Sequence, residues 1–296
     1  MSEQATAAPA ASSAPATIAD LIKGLVDAGI HFGHPVSRWN PKMQPYIKGK
    51  RGNVHIIDVK ETVKGLFLAK KLITQTVASG KDVLFVGTKR QARNSVEEHA
   101  ARAGMHSVTE RWLGGTLTNF RTIRERLKRL DQLDKLWDTG TIETYSKKMK
   151  STLARERKKI MQNLSGIRKM TNMPGLMFII DTRREHIAVK EAKKMGVKTI
   201  ALIDTDSNPD LVDLPVPGND DAMKAIELIM QQLAEAAIEG KTSRSLKGDA
   251  GEQDGGRQRG RSQRSKFRAE EGGGTAEGSA APAPEAAAPT ETVAGA

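Results

Sequence analysis

Short, continuous apolar runs alternate with amphipathic segments through the middle of this 296-residue chain. Such runs predict strands buried on both faces at 83–86, 176–180 and 197–203, and further strands are predicted at 54–58 and in the short segment 106–108. Helices are predicted at 61–77, 91–103 and 185–195, and from an N-cap at Asn219 to Ala237. Strands that alternate with helices indicate an α/β fold built on a doubly wound parallel sheet.

A basic segment interrupts this alternation between residues 118 and 170. Its first arm has an apolar residue at nearly every third or fourth position, with Thr118 predicted as the N-cap and Gly140 as the turn. The apolar stripes of the two arms are Phe120, Ile123, Leu127, Leu130, Leu133 and Trp137, then Met149, Leu153, Ile160, Leu164 and Ile167. Two facing stripes predict an inserted antiparallel coiled-coil helical hairpin whose basic residues point outward. Because single stripes bury little area, we expect a partner to hold the tip.

Most of the positive charge of the chain lies in that hairpin. Residues 121–169 hold fifteen Lys or Arg against six Asp or Glu, whereas the formal net charge of the whole chain is +12. Such a local surplus favours a surface that binds a polyanion, because each neutralised phosphate releases counterions. A solvated helical face is the alternative. The lack of cysteine excludes disulfides and thiolate metal sites, and no apolar run approaches the roughly twenty residues of a membrane span.

Both ends of the chain have low-complexity compositions. Residues 1–17 and 241–296 hold too few large apolar residues to offset the entropy of ordering, so we expect both to be disordered, with a basic patch at 257–268. The start resembles neither a secretory signal nor a transit peptide, and a cytosolic protein is expected. The predicted organisation is an α/β domain at 18–117 and 171–240, a basic hairpin at 118–170, and two unstructured ends at 1–17 and 241–296.

Two segments combine basic residues with features suited to RNA. Residues 38–52 interleave Lys and Arg with Trp39 and Tyr46, which favours RNA contact, although both aromatic rings could instead be tucked into the core. Residues 111–115 read Arg-Trp-Leu-Gly-Gly where the sheet meets the hairpin. The glycine pair permits a phosphate to approach the backbone beside Arg111. A tight turn in which Trp112 packs as a hinge explains the same residues equally well.

Candidate metal sites have weaker patterns. His31 and His34 show a His-x-x-His spacing but lack a nearby third ligand, so satisfied structural histidines are the preferred interpretation. A group of aspartates lacks the glycine and the distal glutamate of a calcium loop. Loop capping is therefore the preferred role of Asp204, Asp206, Asp210 and Asp213.

A nucleotide-binding α/β enzyme is the alternative function. Gly87-Thr88-Lys89 and Asp181-Thr182 follow predicted strands, where doubly wound sheets bind ligands. The sequence contains neither glycine-rich phosphate-binding motif, and it shows no nucleophile with a recognisable base. We therefore predict no catalytic residue, no metal ligand and no cofactor.

Longer motifs along the chain are far more specific than its composition. The first reads Ala-Gly-Ile-His-Phe-Gly-His at 28–34, and the longest lie at 111–120 and 181–192. Others lie at 37–43, 45–47, 55–58, 85–89, 203–206 and 217–222. In this order they resemble the bacterial small-subunit ribosomal protein S2 family, over roughly residues 17–240.

The resemblance implies a flavodoxin-like α/β domain with an inserted coiled-coil hairpin, bound to small-subunit ribosomal RNA between the head and body of the subunit. It implies a structural role without catalysis, and a part in assembling the neighbouring large messenger-binding subunit protein. The expected partners are this RNA and neighbouring small-subunit proteins, with no membrane. The residues expected to contact RNA are Arg38, Trp39, Lys42, Lys48, Lys50, Arg51, Lys89, Arg90, Arg111, Arg121, Arg124, Arg126, Lys128 and Arg129.

Overall fold

The computed structural model describes the backbone of residues 17–267 and the side chains of residues 17–246. Contacts divide the chain into two units, Met1–Leu246 and Lys247–Ala296. The helices are α1 (Ile18–Asp27), α2 (Val59–Ala78), α3 (Arg93–Ala103), α4 (Phe120–Asp138), α5 (Lys147–Leu164), α6 (His186–Met195) and α7 (Met223–Phe267). The strands are β1 (Phe32–Pro35), β2 (Ile47–Arg51), β3 (Val54–Ile57), β4 (Val83–Val86), β5 (His106–Val108), β6 (Leu176–Ile180), β7 (Lys198–Ile203) and β8 (Leu214–Pro217).

Five parallel strands form the central sheet in the order β5-β4-β6-β7-β8. Numbered along the chain within this sheet, the order is 2-1-3-4-5, which is that of flavodoxin-like folds. All residues of β4 and β6 are buried, as expected for strands with helices on both faces. The predicted α/β class and parallel sheet are confirmed.

Successive side chains of each strand enter two separate cores on opposite faces of the sheet. Phe85 and Phe178 point into the core formed with α1, α2, α3 and α7, and their rings meet edge to face with centroids 6.1 Å apart. Leu84 and Met177 point into the core formed with α6 and the base of the α4–α5 hairpin. Burying each such side chain stabilises the fold by about 1.5–3 kcal/mol, so the sheet is anchored from both sides.

The strand predicted at 54–58 belongs to a second sheet. Here β3 lies between β1 and β2 and pairs antiparallel with both, in the order β1-β3-β2. A tight turn joins β2 to β3, and Gly52 in that turn has a φ of 60°, a backbone conformation that favours glycine. The expectation that 54–58 begins the parallel alternation is therefore wrong, because the short turn favours pairing of β3 with β2.

Helices α4 and α5 lie against each other on either side of the turn predicted at Gly140, which has a φ of 68°. Near this end Leu133, Ile142 and Leu153 are buried together. The tip therefore has a small core of its own, contrary to the expectation that only a partner would hold it, because a 3₁₀ turn at Thr141–Thr144 brings Ile142 over the two arms.

The entrance to α4 differs from the predicted one. Its N-cap is Asn119, without a side-chain capping bond, while the hydroxyl of Thr118 donates to the carboxylate of Glu191. At the entrance to α7, the side chain of Asn219 accepts hydrogen bonds from the backbone of Asp221 and Ala222, and the helix itself begins at Met223.

Helix α7 continues past residue 241, where the composition predicted the end of regular structure, and reaches Phe267. Residues 241–267 contain five Arg, three Lys and three Gln, whose helix propensities are close to that of alanine, but also five Gly, which disfavour a helix, so propensity alone does not explain this extension. The remaining parts of the two expected disordered ends, 1–16 and 268–296, lie outside the described residues. Within the described part of the chain, no helix has an apolar stretch long enough to cross a bilayer.

Candidate nucleic-acid interface

Most acidic residues of the hairpin are paired with basic residues of the hairpin itself. Five of its six acids form ion pairs, and these use five of the fifteen basic residues, which leaves ten without a carboxylate partner among residues 17–246. The pairs are Arg121–Glu125, Arg129–Glu156, Lys150–Glu143, Arg157–Asp134, Arg168–Asp131 and Arg168–Asp134. The excess of positive charge predicted from the sequence thus remains unneutralised in the folded hairpin.

Several of these pairs join one arm to the other. Arg157 Nε lies 2.7 Å from Asp134 Oδ1, and Arg168 reaches the same carboxylate at 2.8 Å. The hydrogen bond from Arg157 contributes most to holding the pKa of Asp134 below its ordinary value. Arg129 lies 3.1 Å from Glu156. Arg129, expected to contact RNA, is therefore engaged inside the hairpin.

The other residues predicted on the first arm are in two situations. Arg121, Arg126 and Lys128 are exposed, and the side chain of Arg121 is 92% accessible. Arg124 is half-buried, and its guanidinium donates a 2.7 Å hydrogen bond to the carbonyl of Met170. Arg124 thus ties α4 to the segment that returns to the sheet. Arg126 and Lys128 have no described carboxylate partner, and Arg121 reaches only Glu125, at 3.5 Å.

The predicted residues before β3 lie on the small antiparallel sheet or beside it. Lys42 is held by an ion pair with Asp210, with 2.5 Å between Nζ and Oδ2. The other basic side chains are exposed and make no hydrogen bond or ion pair with any described residue. They are Arg38, Lys48, Lys50 and Arg51.

Trp39 is neither fully exposed for RNA contact nor fully buried in the core, the two alternatives that the sequence left open. It is half-buried, and its ring lies 5.1 Å from that of the buried His55 at an angle of 41°. Tyr46 is also half-buried and packs against the core on the hairpin side of the sheet. Neither aromatic residue is fully tucked away, so part of each remains accessible.

Lys89 lies inside an acidic cluster. Its ammonium group lies 2.6 Å from Asp221, 2.8 Å from Asp220 and 3.8 Å from Asp181, and its side chain is 13% exposed. Burial works to lower the pKa of Lys89, but the charges and hydrogen bonds of Asp220 and Asp221 outweigh it and raise the pKa. Lys89 is thus engaged in structural ion pairs, while its neighbour Arg90 is exposed.

His34 and Asp204, which the sequence places in separate groups, meet Asp220 at the carboxyl edge of the sheet. One ligand atom each of His34, Asp204 and Asp220 lies within 4.8 Å of the others, a set of donors that could hold a divalent cation. The 2.7 Å hydrogen bond to Asp204 is the main cause that raises the pKa of His34 to about 9. Burial raises the pKa of Asp220 to about 7, and its Oδ2 has no described partner.

The remaining members of the two predicted metal groups stay apart from this cluster. His34 is satisfied, as expected, but Nδ1 of His31 is buried without a described hydrogen-bond partner. Asp210 pairs with Lys42, and Asp213 accepts from the backbone and hydroxyl of Thr199. The loop-capping role predicted for Asp213 is therefore matched, and Asp204 bonds both His34 and the backbone N–H of Thr205.

The backbone around the glycine pair already binds a carboxylate from within the protein. Glu191 on α6 is 8% exposed, and its two oxygens accept from the backbone of Gly115 at 2.7 Å, Leu117 at 3.0 Å and Thr118 at 3.2 Å. The indole of Trp112 donates to it as well. The sequence allowed either a bound phosphate or a tight turn with Trp112 packed in the core. The structure shows the tight turn with Trp112 buried, and the carboxylate of Glu191 lies where the phosphate was expected.

Glu191 could have been suspected from its position. It lies among the apolar residues Ala188, Val189 and Ala192 on the buried face of α6, where an unpaired carboxylate would be costly. Burial pushes its pKa upward, but the hydrogen bonds from Gly115, Leu117 and Thr118 prevail and hold the pKa below its ordinary value. Arg111, at the start of the same loop, is exposed.

The carboxyl ends of β4 and β6, where a nucleotide would lie, are filled by the protein's own side chains. The hydroxyl of Thr88 donates to Glu185, and Arg184 donates to that hydroxyl at 3.0 Å. Asp181 has a φ of 65° and accepts from the backbone of Arg183 and Arg184. Thr88 and Asp181 are thus engaged by neighbouring residues of the protein, whereas the buried hydroxyl of Thr182 has no described partner.

Comparison with known proteins gives consistent matches. Residues 25–240 match the family model of ribosomal protein S2. A small ribosomal subunit protein uS2 from Rhodopirellula baltica is 55% identical over 222 residues, which cover 75% of this chain and 85% of that protein. Its counterpart from Syntrophobacter fumaroxidans is 49% identical over 220 residues, covering 74% and 80%. The one from Nitratiruptor sp. is 46% identical over 233 residues, covering 79% and 87%. The chain belongs to the ribosomal protein S2 family.

Proposed function

We propose that the protein is a structural component of the small ribosomal subunit in the cytoplasm, and that it acts in translation without catalysing a reaction. Its family membership supports this role, because its relatives are named as small ribosomal subunit proteins. The enzyme alternative finds no support at the sheet edge, where Thr88, Arg184 and Glu185 satisfy one another.

One observation supports the proposal of RNA binding: ten basic residues of the hairpin have no described carboxylate partner. A rigid arm coated in such charges gains affinity for phosphates by releasing counterions. We further propose that α4 and α5 form an antiparallel coiled-coil arm, with Leu133 and Leu153 in its seam and with the ion pairs between arms setting its register. The acids thereby stiffen the arm without neutralising it.

The proposed interface consists of exposed basic residues that remain available to an external anion. Lys42, Lys89, Arg124 and Arg129 are left out because each makes a contact of 3.1 Å or less within the protein, whereas Arg121 is kept because its 3.5 Å pair with Glu125 is long and exposed. Trp39 is kept as a planar group for stacking on an unpaired base. The basic members are Arg38, Lys48, Lys50, Arg51, Arg90, Arg111, Arg121, Arg126 and Lys128.

The rest of the assembly is proposed with the family as support. An α/β domain at 18–117 and 171–240 would present the hairpin at 118–170 to small-subunit ribosomal RNA between head and body. The protein would also support docking of neighbouring subunit proteins, including the large messenger-binding one. The basic patch at 257–268 would add loose, salt-sensitive RNA affinity, as basic tails often do.

A salt titration tests the electrostatic account. The purified full chain is bound to small-subunit ribosomal RNA on filters, and log affinity is plotted against log salt concentration. If at least about six phosphates are neutralised, the slope should be steeper than about −4. A flat salt dependence would contradict the proposal.

A matched pair of variants then tests the hairpin itself. Replacing Arg126, Lys128 and Lys158 with Gln should make the slope shallower by about 2 units, since each phosphate contact contributes roughly 0.7–0.9. The control replaces Lys190, Lys193 and Lys194, three exposed lysines of α6, with Gln and removes the same charge. Equal losses in the two variants would show that net charge, and not the hairpin surface, governs binding.

A further inference from the structure

The base of the hairpin contains an open notch that shares only Arg126 with the phosphate-binding residues proposed above. Its volume is about 420 Å³, within the roughly 300–1,000 Å³ typical of small-ligand sites. Leu113 lines it from the loop before α4, Arg126 from α4, and residues of one face of α5 complete it. The notch therefore lies where the loop held by Glu191 meets both arms.

The floor of the notch is apolar and partly uncovered. Leu113 and Ile160 are half-buried, and Leu164 beneath them is buried in the core that anchors the hairpin to the sheet. A flat apolar group placed on these side chains would remove them from water, which is favourable at about 25 cal/mol per Å².

The rim of the notch is polar and cationic. Arg126 and Lys159 are exposed and have no carboxylate partner in the described part of the chain. Glu156 also lines the notch, but its two oxygens accept from Arg129 at 3.1 and 3.4 Å, so its charge is offset. The amide of Asn163 donates once, to the carbonyl of Lys159 at 2.9 Å, which leaves its oxygen and a second hydrogen for a ligand.

We propose that this notch receives one unpaired nucleobase of the RNA that the hairpin binds. The base lies on Leu113 and Ile160, Asn163 hydrogen-bonds its edge, and Arg126 and Lys159 hold the flanking phosphates. Bases extruded from loops and bulges are the parts of RNA that proteins recognise in this way. This inference rests on the proposed function and extends it, because it adds recognition of a base to recognition of charge.

Charge complementarity selects RNA over a protein side chain as the occupant. An apolar side chain from a protein neighbour would cover the floor equally well but would leave two cations on the rim without an anionic partner. A nucleotide supplies both the planar group and the phosphates, in one ligand.

The test compares two single-stranded ligands with the same charge. One is an oligoadenylate RNA of about twelve nucleotides, and the other has the same backbone with abasic sites in place of the bases. The full chain should bind the first about tenfold more tightly than the second at equal salt, within the range for stacking of one base. Asn163→Trp should fill the notch and abolish most of this difference while leaving the salt slope unchanged.

Two further variants keep the result interpretable. Met161→Trp adds the same ring to the exposed face of α5 outside the notch and should leave the tenfold difference intact. Asn163→Ala removes the edge contact without filling the notch and should reduce the difference about threefold, even if the Trp variant folds poorly by circular dichroism. Equal binding of both ligands by the unaltered protein, or equal behaviour of Asn163→Trp and Met161→Trp, would overturn base insertion while leaving phosphate binding in place. Failure to bind either ligand at low salt would overturn the proposed function as well.

Discussion

Removing the carboxylate of Glu191 should destabilise the protein far more than removing any exposed charge. Four N–H groups converge on this side chain, three from the backbone of Gly115, Leu117 and Thr118 and one from the indole of Trp112. None of the four can turn to another acceptor without moving the loop that joins the sheet to α4. The Glu191→Ala variant would therefore leave these donors unsatisfied.

The size of the effect follows from which donors are buried. Leu117 and Trp112 are buried, and an unsatisfied buried donor costs about 1–3 kcal/mol. Two such donors give about 2–6 kcal/mol, and removing the desolvated carboxylate returns part of this. We expect the free energy of unfolding to fall by about 3 kcal/mol in Glu191→Ala. Glu191→Gln keeps one acceptor oxygen but turns an NH₂ group toward the donors, so a loss of about 2 kcal/mol is expected.

The contribution of Glu191 should also depend on pH. Its folded-state pKa is lower than the ordinary value of 4.5, so the folded protein favours the ionised form. The stabilisation is complete above pH 4.5 and is lost as the pH falls through the folded-state pKa. The difference in unfolding free energy between wild type and Glu191→Gln should thus be constant near neutrality and shrink below pH 4.5.

Urea unfolding followed by far-UV circular dichroism and by tryptophan emission, to which Trp112 of this loop contributes, measures these free energies. Lys190→Ala is the control, because this neighbouring side chain on α6 is exposed and its loss should change stability by less than about 0.5 kcal/mol. A Glu191→Ala variant within 0.5 kcal/mol of wild type would refute the reasoning, since it would show that water or a shifted loop satisfies the donors at little cost.

Three other substitutions probe separate parts of the structure. Leu133→Ala, in the small core near the tip, should cost about 2–4 kcal/mol in urea unfolding, and a loss below 1 kcal/mol would show that the tip is not independently packed. Gly166→Ala should prevent normal closure of the hairpin base, because an added Cβ would lie 2.2 Å from the carbonyl oxygen of Ser107, and unchanged thermal stability would contradict this contact. Lys89→Gln should lower the melting temperature by leaving Asp220 without its cation, while RNA affinity stays near wild type; a large loss of affinity with an unchanged melting temperature would restore Lys89 to the interface.

Local signals decided which elements could be predicted from the sequence. Strands β4 and β6 were evident because every residue in each is apolar, and β7 because only its first two residues are not. Strand β8 was missed because two of its four residues are proline, which a sheet tolerates at its edge, and β8 is an edge strand. Strand β1 was missed because it pairs with β3 across a long loop and carries no alternating apolar pattern.

The sequence predicted how much excess positive charge the hairpin carries, but not which of its basic residues are free to bind a ligand. Composition located the surplus in the hairpin, and the structure agrees that most of it is unneutralised. Composition could not distinguish the exposed Arg126 from the bonded Arg124 and Arg129, because all three are basic and close in sequence. The partners of the two bonded residues are the carbonyl of Met170 and the carboxylate of Glu156 on the other arm. Such partners depend on how the arms pack, which a charge count does not contain.

The hairpin acids link its two arms while leaving most of its basic residues without a described carboxylate partner. Asp131, Asp134 and Glu156 each face a guanidinium of the opposite arm or of the segment just beyond it. Partly exposed pairs of this kind contribute at most about 1 kcal/mol each, so they are too weak to justify the acids by stability alone. Their effect is to hold the arms in one register while consuming few cations. An arm without these acids would carry more positive charge and more repulsion between its helices, whereas more acids would weaken its positive field. Replacing Asp134 with Asn should therefore loosen the arm, seen as faster amide exchange in α4, even as the net positive charge of the hairpin rises by one.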